Sequence, residues 1–149
     1  MKPESIEPRL LLGPGPSPVA DRILQAMAIP TVGHLDPNFL EIMDDVNRRL
    51  RGVFGTENRM TFPVSGTGSA GMEASLANLL EPGDTAIVGV NGVFGTRLSE
   101  MARRMGANVV TVEADWGRVI PPERLVETLH GHPDARLLAL VHAETSTGV

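Results

Sequence analysis

Apolar positions along this chain keep two different periods, and the change between them divides it. Up to residue 55 the spacing is helical. Ser17-Pro18 supplies an N-cap and a first-turn proline, predicting a short helix to about residue 28 that Pro30 closes. Asp36-Pro37 repeats that start signal, and Phe39, Ile42, Met43, Val46, Leu50 and Val53 share one helical face before Gly55 ends it. Beyond residue 58, short apolar runs alternate with helical segments. The pattern predicts a strand over 59–64, a helix from near Ser69 to 80, a Glu81-Pro82-Gly83-Asp84 turn, a strand from Thr85 to Val90 and a helix over 96–105 capped by Gly106. A strand from Asn108 to Glu113, an Asp115-Trp116-Gly117 turn, a helix from Pro121-Pro122 to about 130 and a strand over 136–141 follow. Strands alternating with helices predict an α/β fold, three layers α/β/α around a mainly parallel sheet.

The two regimes meet at Val64-Ser65-Gly66-Thr67-Gly68-Ser69-Ala70-Gly71-Met72-Glu73-Ala74, a glycine-rich turn that opens into a helix. It reads as a phosphate cradle. Gly66 and Gly68 let the backbone fold around an anion, Thr67 and Ser69 offer hydroxyls, and the unpaired N–H groups of the helix start point at the same spot. A tight connection without a ligand is the plainer reading of the turn taken alone. Gly66, Gly68 and Gly71 also satisfy the dinucleotide-binding spacing, but the context argues against NAD or FAD. The next strand ends in Asn91-Gly92 and not in an acid for a ribose hydroxyl, and about sixty residues precede the motif.

Composition narrows the classes. The chain has 149 residues, 42% hydrophobic, with a net charge of -5 and a mean hydropathy of +0.01, which suits a globular unit with a sizeable core. An acidic balance with 3% aromatics offers neither a basic footprint nor stacking platforms, so no nucleic-acid partner is expected. The absence of cysteine excludes disulfides, thiolate catalysis and Cys-ligated zinc, and His34, His130, His132 and His142 lack metal-ligand spacing, so no metal site is expected. No run reaches membrane-spanning length and residues 1–8 hold no apolar core, so the expected setting is cytoplasmic, with no membrane partner. The polar turn His142-Ala143-Glu144-Thr145-Ser146-Thr147-Gly148 follows the last strand at the place where an α/β sheet binds ligands. The chain therefore reads as the front part of a longer protein, cut inside its cofactor domain.

Several segments in order carry a resemblance: Leu11-Leu12-Gly13-Pro14-Gly15-Pro16, Gly33-His34-Leu35-Asp36-Pro37, Ser65-Gly66-Thr67-Gly68-Ser69, Glu73-Ala74, Glu81-Pro82-Gly83-Asp84, Asn91-Gly92-Val93-Phe94-Gly95, Asp115-Trp116-Gly117 and His142 to Gly148. Together they resemble the N-terminal part of class V, fold-type I aminotransferases dependent on pyridoxal 5'-phosphate, above all the alanine-glyoxylate and serine-glyoxylate (serine-pyruvate) group. The resemblance implies part of the fold-type I large domain. Residues 1–30 would form an N-terminal arm and first helix, and residues 31–149 an incomplete cofactor-binding domain that ends before the Schiff-base lysine. It places the cofactor phosphate on Thr67, Gly68 and Ser69, the Phe94 ring over the pyridine face, where some relatives carry tryptophan, and Thr145 near the ring's phenolic oxygen. Gly15 and His34 match parts of the substrate entrance.

The resemblance further implies small amino acid and 2-oxo acid substrates, with an amino group passing from alanine or serine to glyoxylate or a related acid, and a homodimer. No catalytic residue falls in this stretch. The reactive lysine, the carboxylate at the pyridine nitrogen and the substrate-binding arginine come later in the family, and Lys2 is the sole lysine here. The stretch alone is expected to be inactive. Alternatives are another class V enzyme, such as an aspartate or aminoethylphosphonate aminotransferase or a lyase, and a truncated, non-catalytic phosphate-binding or dimerisation module. Plainer readings stand beside each residue: Phe94 as core, the histidines other than His34 as surface or capping groups, Glu73 as structural, Trp116 as cover over a helix or subunit contact, and Ser146 with Thr147 as a turn capping a following helix.

Overall fold

The computed structural model describes residue 7 and residues 9–149. Lys2 lies outside the described residues. The chain divides into two compact units, Met1–Ser65 and Gly66–Val149.

The first unit carries α1 (Asp21–Met27) and α2 (Pro37–Phe54). α2 has the expected ends: the Asp36 side chain accepts from the Asn38 N–H at 2.8 Å, Pro37 opens the first turn, and Gly55 turns left-handed at φ 60 to close it. α1 starts three residues later than its proline signal, with Ala20 at the N-cap and no capping side chain. The strand expected over 59–64 does not form. Met60, Phe62 and Val64 keep the alternating pattern but remain 82%, 50% and 80% exposed, with no strand paired to them. Alternation alone does not make a strand when no neighbour accepts its backbone hydrogen bonds.

The second unit holds α3 (Gly68–Ala77), β1 (Thr85–Val90), α4 (Val93–Arg104), β2 (Asn108–Glu113), α5 (Pro122–Gly131) and β3 (Ala135–Ala139). The three strands form one parallel sheet in the order β2-β1-β3, as the alternation of strand and helix predicts. β1 is central, and its side chains divide by parity. Ala86 and Val88 pack with Leu76, Leu80, Leu98, Ala102 and Ala107 on one face, while Ile87 packs with Val112, Ile120 and Leu125 on the other. Helices α3 and α4 thus cover one face and α5 the other, the three-layer arrangement. Two glycines allow the layers to approach. A Cβ on Gly95 of α4 would stand 2.7 Å from the Gly89 carbonyl oxygen of β1, and one on Gly89 would meet Leu140 at 2.8 Å and Ile120 at 2.9 Å.

The strand order decides where a ligand can sit. β1 leads through α4 to β2 on one side, and β2 returns through α5 to β3 on the other. A crevice opens outside the carboxyl ends of neighbouring strands whose connections run in opposite directions. Here it lies between the turn after β1, Asn91-Gly92, and the segment after β3.

Candidate functional site

A cavity of about 740 Å³ opens beside the segment after β3, and its lining includes Thr67, Gly68, Ser69, Phe94 and Thr145 together with Met72, Leu76 and His142. Residues from three distant parts of the sequence, all assigned by the resemblance and only the Gly66 to Gly71 turn also by its own chemistry, line one cavity. Gly15 and His34 belong to the first unit, where Gly15 lies in a bend, His34 in the turn before α2, and both are exposed.

The phosphate-cradle residues form the first turn of α3. Thr67 is its N-cap in an extended conformation, φ -81 and ψ 165, and its Oγ1 accepts from the Ala70 N–H at 3.2 Å. A hydroxyl that accepts there keeps its own hydrogen to donate. The N–H groups of Gly68 and Ser69 have no acceptor within the helix, because the first turn leaves them unpaired. All these groups are exposed, and no acidic residue lies in the first turn of α3. Partial positive charge at the helix start is thus left available for an anion.

On the other side stands the first turn of α4. The helix starts at Val93, three residues before the sequence suggests, and its N-cap Gly92 has no side chain to cap it. The caps come from the segment after β3. Glu144 Oε2 accepts from the N–H of Phe94 at 3.0 Å and of Gly95 at 3.1 Å, and Ser146 Oγ accepts from the Val93 N–H at 3.0 Å. Ser146 also donates its hydroxyl to Glu144 Oε1 at 2.5 Å, with its own N–H directed at the same oxygen at 3.3 Å. Thr147 Oγ1 donates to the Asn91 carbonyl at 3.4 Å. Ser146 and Thr147 therefore act backward on the turn after β1 and the start of α4.

Glu144 is 0% exposed. Burial pushes its carboxyl up, but the hydrogen bonds from Ser146, Gly95 and Phe94 outweigh that and hold it below its ordinary value. It is an ionised side chain inside the fold. Ala143, just before it, takes φ 71, a left-handed conformation that costs an alanine about 1–2 kcal/mol. Gly92 is required beside it, since a Cβ there would collide with the Glu144 side chain and stand 2.8 Å from Ser146 Oγ.

The fixed turn presents two side chains to the cavity. Phe94 contributes its ring, half-buried, with the Arg97 guanidinium 5.3 Å from its centroid. Thr145, the neighbour of Glu144, contributes an exposed side chain. The sequence alone marks Glu144 only as part of a motif. The signal was a lone acid in an otherwise uncharged turn after a strand, and its partners lie some 50 residues back in the chain.

Comparison with known proteins identifies the fold and the family. A solved alanine-glyoxylate aminotransferase from Nostoc sp. superposes with a TM-score of 0.87 at 53% identity, covering 99% of this chain and 39% of that one. An alanine-glyoxylate aminotransferase of Rattus norvegicus is 45% identical over 99% of this chain and 36% of its own length. An (S)-ureidoglycine-glyoxylate transaminase of Bacillus subtilis is 42% identical over 94% of this chain and 33% of its own length. The chain thus spans well under half the length of these relatives. The fold is that of the fold-type I aminotransferases, represented here by part of their large domain. A family model for aminotransferase class V matches residues 16–149, and the chain belongs to that family.

Proposed function

We propose that the whole protein is a pyridoxal-phosphate-dependent aminotransferase that passes an amino group from alanine or serine to glyoxylate or a related 2-oxo acid, this chain supplying much of the cofactor cleft. The carrying observation is the meeting of an open helix start with an aromatic ring and a hydroxyl in a single cavity. These residues fit the cofactor's parts. The N–H groups of Gly68 and Ser69 with the Thr67 and Ser69 hydroxyls would hold the phosphate, the Phe94 ring would cover a flat face, and the Thr145 hydroxyl would bind a ring oxygen. When bound, pyridoxal phosphate supplies the electron-withdrawing ring on which amino transfer depends. What this chain does is bind that ring and orient it. Glyoxylate as acceptor is supported by the names of the relatives above, which share it and differ in the amino donor.

A homodimer and a cytoplasmic setting belong to the same proposal. The first is supported by the resemblance; the second carries forward the expectation from the sequence. Gly15 and His34 are assigned to the substrate entrance on the resemblance alone. Among the described residues no helix is long and apolar enough to cross a membrane. The deciding experiment titrates pyridoxal phosphate into the whole apo-protein and into its Ser69→Ala and Phe94→Ala variants, then assays alanine, serine and (S)-ureidoglycine as donors to glyoxylate. Weaker binding in both variants is expected. Wild-type affinity in both would mean that the cofactor binds elsewhere.

A further inference from the structure

The buried carboxylate of Glu144 has no place in the cofactor contacts described above, yet it is the best-connected polar side chain of the second unit. Both of its oxygens face donors only: Oε2 faces the N–H groups of Phe94 and Gly95, and Oε1 faces the N–H and hydroxyl of Ser146. A carboxylate satisfies that arrangement because it accepts at both ends. A glutamine of the same length would turn its NH₂ against donors whichever way it flipped. The two residues that meet the cavity as ring and hydroxyl are tied to this single group, Phe94 through its N–H and Thr145 as the next residue in the chain. The left-handed Ala143 bears on the same point, since an alanine is held at φ 71 only where its surroundings leave no alternative.

We propose that Glu144 is a positioning residue that sets the Phe94 ring and the Thr145 hydroxyl relative to each other, so that the cavity accepts a flat heteroaromatic ring beside an independently held phosphate. The inference rests on the pyridoxal phosphate reading of the cavity. It separates ring recognition, governed by Glu144, from phosphate recognition, governed by the α3 turn, which donates no hydrogen bond to Glu144.

Two probes resolve these halves in the whole protein. Pyridoxine 5'-phosphate carries both ring and phosphate but no aldehyde, so its affinity reports non-covalent contacts, and inorganic phosphate competing with it reports the cradle alone. Glu144→Gln is expected to raise the pyridoxine phosphate dissociation constant about tenfold while leaving the inhibition constant of inorganic phosphate unchanged. Leu125→Ala, on the opposite face of the sheet, is expected to lower the melting temperature and change neither constant. Equal weakening of both ligands in Glu144→Gln would reduce the residue to general support and overturn the proposal, as would an unchanged pyridoxine phosphate affinity. Should Glu144→Gln not fold, Ser146→Ala carries the same comparison with about a threefold rise expected, and no rise overturns it. If the wild-type protein binds pyridoxal phosphate nowhere, the cofactor reading itself has failed, which the wild-type titration shows before any variant is made.

Discussion

Two helix starts face the same cavity, and they have been finished in opposite ways. The α3 start is built from small residues, is exposed, and keeps its first N–H groups free beside two hydroxyls. The α4 start is buried and filled from within, its three leading N–H groups taken by Glu144 and Ser146. Both ends present the same partial charge. The difference lies in whether the chain supplies the anion itself. Where it does, the turn becomes a rigid mount for side chains that line the cavity; where it does not, the turn keeps its donors open to an anion.

The strongest way to break this contrast is to empty the filled start. Glu144→Ala leaves buried donors without an acceptor, each costing about 1–3 kcal/mol, so a loss of at least about 3 kcal/mol of stability is expected by chemical denaturation. Acid should act in the same direction. Because the folded carboxyl lies below its ordinary value of 4.5, its contribution is complete above that value and is lost as pH falls through the lower folded one. An acid titration of stability in wild type that matches Glu144→Ala in slope would remove Glu144 from the account.

A smaller but cleaner effect is expected at the open start. Gly68 is the first helical residue, a favoured site for proline, and Thr67 before it is already extended, as a residue preceding proline must be. Beyond its chain neighbours and the backbone of its own helix, no atom lies within 4 Å of a Cβ built there. Gly68→Pro should therefore leave stability unchanged while removing one N–H from the anion. A charge-assisted bond of about 1.5–3 kcal/mol corresponds to roughly ten- to a hundredfold in pyridoxal phosphate affinity, read by titration of the apo-protein. Unaltered affinity would show that the α3 start is not the phosphate site.

The ring comes next. Phe94→Ala should cost about 0.5–1.5 kcal/mol of cofactor affinity without changing competition by inorganic phosphate, and Phe94→Trp should preserve or improve it. The smallest effect is expected at Ala143, where glycine relieves the left-handed strain but adds freedom to the unfolded chain. A net gain of about 0.5–1 kcal/mol in thermal stability checks it, and a loss would mean that the methyl group is needed.

The two starts also differ in how far the sequence reveals them. The α3 cradle is local: glycine, threonine and serine stand next to the helix they open, so its chemistry reads directly from Gly66 to Gly71. β1 and β2 are likewise legible to the residue, since each is an apolar run bounded by turn residues. The start of α4 is not. With Gly92 as N-cap and its acceptors about 50 residues later, nothing near Val93 signals a beginning. The expected helix was therefore three residues short, and Glu144 was left without a role. At 59–64 the failure runs the other way, because the local pattern of Met60, Phe62 and Val64 is strand-like and no strand among the described residues pairs with it.

The cap that arrives from 50 residues downstream also has a meaning during synthesis. At about 5–20 residues per second, α4 leaves the ribosome several seconds before the carboxylate that completes its first turn. Through that interval the helix start and the Gly92-Val93-Phe94 segment have only water as acceptor. β1 and β2 can pair as soon as both have emerged, but the mount for the Phe94 ring cannot set until β3 has docked and brought Glu144 with it. The α3 start, whose capping residue Thr67 is its own neighbour, needs no such wait, while the α4 start is completed only by residues at the far end of this stretch.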